Sequence, residues 1–176
     1  LRRMIETPYP LLEKMTLFWH GHFALGNHAV NNAALMVALV RSLREGALGS
    51  YRSLIEAVMN APALYLSLRS QRSRRSQPSS NVAQQLLAVF GVGPGYFDEQ
   101  DVHAAARALT GRSVLRNELR VFEHDHDDDP KTLLGHRGKW DADDAIRIVA
   151  EHPATAEHIV RKLYAWFVSE CDEPES

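Results

Sequence analysis

The chain has 176 residues, 45% of them hydrophobic, and a formal net charge of -2. That is enough apolar material for one buried core, and the near-neutral balance gives no global attraction for nucleic acid or an anionic membrane. A single cysteine, Cys171, excludes an intrachain disulfide and a cysteine-built zinc site, and no apolar run approaches the ~20 residues of a membrane span.

No secretory signal peptide is recognisable. The chain opens at Leu1 rather than Met, which predicts an excised piece of a longer parent. The compartment, cytoplasmic or exported, therefore stays open. Cys171 reads as a buried or incidental thiol.

Thr7-Pro8 predicts a helix start. Leu11, Leu12, Met15, Phe18, Trp19, His22 and Phe23 then recur at helical spacing. Gly26-Asn27 is the expected stop. Asn31 or Asn32 caps a second helix that ends at Gly46, and Ser50 caps a third that Pro62 closes. Arg69 to Ser80, "RSQRSRRSQPSS", holds four arginines and no apolar residue. It predicts an exposed basic loop, since nothing in it offsets ordering by burial. A phosphate or polyanion patch is the functional alternative.

Helices resume at Asn81. "GVGPGY" lacks the flanking strand and spacing of a phosphate-binding loop. Asp98 with Asp101 opens an Ala-rich helix that Gly111 ends. From Arg112 to Trp140 the helical period fails, which predicts an irregular acidic insert. Within it "SVLRNELRVF" allows a two-stranded ribbon turning near Asn117-Glu118. Asp141 with Asp144 starts another helix, and Pro153 opens the last. The expected class is mainly α: one irregular bundle of about seven helices over residues 1–176, with the insert at 112–140.

Two clusters carry potential chemistry. In "FWHGHF", Phe18 to Phe23, His20 and His22 point about 200° apart on a continuous helix, at ~100° per residue. Both could meet one metal only if the helix ended or bent at Gly21. His22 reads either as a hydrogen-bonded core histidine or as a ligand. The second cluster, "EHDHDDD", Glu123 to Asp129, offers two imidazoles and four carboxylates within His124 to Asp129. Mixed nitrogen and oxygen donors suit zinc, manganese or iron. A solvated acidic turn, neutralised by Lys131, is the alternative. No nucleophile elbow or reactive-cysteine context is present, and Glu13, Glu56 and Glu118 read as surface carboxylates.

Taken together, "PLLEKMTLFWHGHFAL", "AARALTG", "HDDDPKTLLG" and "DADDAIRIVAEHPATAEHIVRKLYAWFVS" resemble the bacterial domain of unknown function (DUF) 1800 family, in its middle to C-terminal part. The family motifs match Trp19, His20, His22 and Phe23, then His126, Asp127, Lys131, Leu134 and Gly135, then Asp143 and Asp144. The resemblance implies no established activity. It implies as a possible partner an exported alkaline-phosphatase-like protein encoded nearby. One departure bears on chemistry. Asn81 is kept, but Ser80, Gln84 and Gln85 stand where the family typically has Glu, Arg and Glu, and Arg112 replaces its usual aromatic. Neutral amides are poor bases and poor ligands. Two readings follow: a non-catalytic helical scaffold that binds another protein, or a metal-assisted hydrolase with His20 or His22 joining His126 and Asp127, supported by Trp19, Asn81, Lys131 and Asp144.

Overall fold

The computed structural model describes residues 6–168; Cys171 lies outside them. Among the described residues are nine α-helices and two small antiparallel hairpins.

The first helix, α1, runs Pro10–Phe23 and starts two residues later than Thr7-Pro8 suggested. Thr7 Oγ1 instead accepts from Tyr9 N. It passes through Gly21 without a break and stops at Ala24, which is left-handed at φ 47°. A short helix α2, Asn27–Val30, occupies the expected stop. Asn32, not Asn31, caps α3, Ala33–Gly46, accepting from Ala34 N and Leu35 N. Ser50 caps α4, Tyr51–Met59. Pro62 also opens a further short helix, α5, Pro62–Ser67.

The arginine-rich segment leaves its four arginines exposed but is tied down by backbone bonds. Ser73 N donates to Arg112 O, Gly111 N to Ser73 O and Val114 N to Gln71 O. Ser70 and Ser73 are buried. The segment thus borders the insert like a partial third strand.

Next come α6, Ser80–Gln85, and a π-turn, Leu86–Phe90. The wider turn accommodates one extra residue, a feature frequent at functional sites. It packs between α1 and α8 (Ala142–Glu151). Helix α7, Glu99–Ala108, opens with the expected capping box of Asp98 and Asp101.

The insert is more ordered than its composition suggested. Strands β1, Arg112–Leu115, and β2, Glu118–Val121, form the ribbon, turning at Arg116 and Asn117. Both turn residues have positive φ, as a two-residue hairpin loop requires. A second hairpin, β3 (Lys131–Leu133) with β4 (His136–Gly138), turns at Leu134-Gly135 in the same way. Asp101 Oδ1 accepts from Leu134 N and so pins this hairpin to the start of α7.

Asp141 caps α8 by accepting from Asp144 N. The last helix, α9, runs Pro153–Phe167. One buried cluster draws on α1 to α9, the π-turn and β3, with Phe23, Leu43, Ile55, Met59, Leu87 and Phe90 among its large members. At roughly 25 cal/mol per Å² of apolar surface removed from water, this shared burial is the main source of stability.

Candidate functional site

The acidic turn places its residues unequally. Asp127 is buried, and Arg107 on α7 grips it from two sides: Nε donates to Oδ2 at 2.7 Å and Nη2 to Oδ1 at 3.1 Å. Asp129 N also donates to Oδ1. These bonds hold the Asp127 carboxyl down at about 2, the Arg107 guanidinium contributing most. Lys131 is buried too; its Nζ donates to the carbonyls of Asp127 and Asp129. The ammonium is thus spent on backbone oxygens, and burial lowers its pKa.

His126 faces differently. Its Nδ1 lies 3.1 Å from the carbonyl of Thr110, which can only accept, so Nδ1 carries the proton. Nε2 lies 3.9 Å from Asp128 Oδ1. His126 lines a cleft of about 400 Å³ with Glu123, Asp128, Asp141, Asp143 and Arg112. Arg112 forms its floor. It is buried, and its Nη1 donates to Met59 O and Asn60 Oδ1, while Nη2 pairs with Asp143 at 3.2 Å.

His22 sits elsewhere, in an aromatic cage of Phe18, Trp19, Phe23, Tyr51 and Phe90. Trp19 is fixed beside it by Nε1 donating to Ala47 O at 2.9 Å. The Tyr51 hydroxyl donates to Phe90 O at 2.6 Å. It has one proton, so at 2.9 Å it must accept from His22 Nε2. His22 Nδ1 is therefore a buried lone pair, and it has no partner among the described residues. Burial, reinforced by Lys162 and His158, drives the ring down to about 3, so it is neutral at physiological pH.

His20 is exposed while His22 is buried, as the unbroken helix demands. The surroundings of His22 come from α1, α4, the π-turn and α9. Those of His126 come from α7, the insert and the start of α8. Among the described residues, no three His, Cys, Asp or Glu are grouped so as to hold a metal. Asn81 is exposed and donates from Nδ2 to Leu68 O. Asp144 accepts from Arg147. Ser80 and Gln84 are exposed and Gln85 is half-buried.

A family model described as "Protein of unknown function (DUF1800)" matches residues 1–176. The chain belongs to the DUF1800 family. No curated protein and no solved structure matches it.

Within this DUF1800 domain, the roles of four polar residues escaped the sequence reading. Arg107 lies in "AARALTG" without any mark of its role as the Asp127 partner. Arg112 was noted only as a departure. His158 and Lys162 on α9 are four residues apart, so the helical period places them on one side; that spacing was the available signal. Of the surface carboxylates, Glu13 is largely covered and pairs with Arg44 at 2.7 Å.

Proposed function

We propose that this DUF1800 domain is a non-catalytic helical scaffold that docks another protein. The observation that carries the reading is the fate of the residues the family motifs single out. Trp19, Asn81, Asp127 and Lys131 each end on a partner inside the fold, and His22 does so through Nε2. Groups so engaged hold elements together, and a base or nucleophile needs an atom free to meet substrate. Ser80, Gln84 and Gln85 supply no charge to replace them.

The docking surface in this reading is the outer side of α9. Val160 and Tyr164 lie four residues apart on the helix and stay exposed, as does Val168 just past its end. The partner to try first is the exported alkaline-phosphatase-like protein that the family resemblance implies. Titration of that protein with the purified domain is expected to give a complex that Tyr164→Arg abolishes without altering the melting temperature. A hydrolytic activity lost on His126→Ala at unchanged melting temperature would overturn the reading.

A second reading, a metal-assisted hydrolase using zinc, manganese or iron, draws support from two imidazole nitrogens: His22 Nδ1, which has no hydrogen-bond partner among the described residues, and His126 Nε2, which lies 3.9 Å from Asp128 Oδ1. Either can accept a metal as well as a proton. Metal analysis of protein purified without chelator tests it, with stoichiometric metal lost in His22→Ala or His126→Ala as the expected result.

A further inference from the structure

A cavity of about 370 Å³ lies between the loop that follows the π-turn and α9. Its walls include Gly93, Tyr96, His158, Arg161 and Lys162, and the only carboxylate among them is Glu157. Glu157 is already bound to Arg161 at 2.8 Å, with both side chains largely exposed at the rim. That pair cancels. What remains is Lys162, half-buried, whose Nζ has only the Val89 carbonyl at 3.4 Å. No carboxylate lies within salt-bridge distance of it among the described residues. A partly desolvated cation without an anion is unfavourable unless something supplies one.

The imidazole beside it is also incomplete. His158 Nε2 is buried without a hydrogen-bond partner. The ring occupies the space that a side chain at residue 93 would fill, since a Cβ there would come within 2.7 Å of Nδ1. Gly93, at φ 82°, is therefore the residue that lets the imidazole reach this place. Tyr96 stands exposed at the mouth, with an aromatic face free for an apolar body.

We propose that this cavity binds a small organic oxyanion, its phosphoryl or carboxylate head paired with Lys162 beside the His158 ring, its body against Tyr96. The head supplies the negative charge that Lys162 lacks as a partner. It does not use backbone amides in the manner of a glycine-rich phosphate loop. The unliganded His158 is held towards its neutral form by burial and by Lys162 and Arg161, against the pull of the Val89 carbonyl. An anion reverses that balance, so binding and proton uptake at His158 reinforce one another. The groups around the ring are Lys162, Arg161 and Glu157 on α9, His22 on α1 and Tyr96 on the loop. The site is separate from the exposed stripe of Val160, Tyr164 and Val168 and does not depend on the docking reading.

The test follows the imidazole signals of the whole chain by NMR during titration with phenyl phosphate, benzoate and inorganic phosphate. At least one organic anion is expected to saturate with a Kd of about 1 mM or tighter and to raise the His158 pKa by about one unit. The tighter of phenyl phosphate and benzoate identifies the head group; binding of neither overturns the proposal, as do shifts spread equally over His28, His103 and His136. Lys162→Met is expected to weaken binding at least about tenfold, the loss of one charge-assisted contact, and unchanged affinity overturns the site. If that variant does not fold, Glu157→Gln decides. Its side chain is at the exposed rim, and removing the rim carboxylate is expected to tighten binding about threefold. Unchanged or weaker binding in Glu157→Gln overturns the proposal.

Discussion

Arg107 and Asp127 form a two-point pair, 2.7 and 3.1 Å, that fastens the acidic turn to the end of α7. The carboxylate is nearly covered and the guanidinium about one-fifth exposed. Asp127→Asn keeps the shape but removes the charge facing Arg107, and it is expected to cost about 2 kcal/mol, the range for a charge-assisted bond. Urea unfolding measures it. A double-mutant cycle with Arg107→Gln should return a coupling energy above about 1 kcal/mol. Strict additivity would show that the pair contributes nothing beyond its separate residues.

Acid sensitivity should follow from His22. Its ring goes from 6.5 in the unfolded chain to about 3 in the fold, so the folded state binds fewer protons between those values. The contribution is complete above pH 6.5 and is lost as pH falls toward 3. His158 shifts in the same direction, held down by burial and by Lys162. Asp127 acts later, retaining its contribution above pH 3.8 and losing it toward about 2. Unfolding free energy measured from pH 7 to 4.5 should therefore decline, and His22→Gln should be less stable at pH 7 yet show a flatter decline. Parallel curves for the two proteins would remove His22 as the cause.

The helices were legible because their signals are local. Asp98 and Asp101, Ser50 and Asp141 cap where the sequence places them. The 200° separation of His20 and His22 follows from helix geometry alone and matches one exposed and one buried ring. The ribbon within "SVLRNELRVF" was legible because the helical period fails there. The second hairpin was not, because Leu134 at φ 48° is a residue that rarely takes a left-handed turn. Its turn is fixed from a distance, by Asp101. The π-turn at Leu86–Phe90 has no local signature either; its carbonyls are completed by Tyr51 and Lys162, far away in sequence. The same holds for the sites. Partners such as Arg107 for Asp127, or Tyr51 for His22, are tertiary facts.

Arg112 should prove structural to the cleft rather than a surface substitution. Its guanidinium joins the ends of α4 and α8 through Met59, Asn60 and Asp143. Arg112→Met keeps the stem and deletes the donors, so Asn60 loses a buried partner while the Met59 carbonyl keeps the Tyr65 hydroxyl. A loss of about 2 kcal/mol is expected, with faster hydrogen exchange at the start of α8 than at α1. Uniform exchange across both helices would argue against a local brace.

Gly111 gives the sharpest backbone prediction. It sits at φ 83°, between α7 and β1, and its N donates to Ser73 O while its carbonyl accepts from Phe122 N. A Cβ there would come within 2.8 Å of the Phe122 carbonyl oxygen, which is backbone and tied into the 3-10 turn at Glu123–Asp125. Neither the angle nor the neighbour can yield cheaply. Gly111→Ala is expected to lose about 3 kcal/mol, combining left-handed strain with the clash. Because the strain falls where the arginine-rich segment, β1 and the acidic turn meet, the insert should open before the helices. Near-ultraviolet signals from the distant Trp19 should then melt later than proteolysis at Arg116 or Arg120. Coincident loss of both would place Gly111 in the same cooperative unit as the helical core.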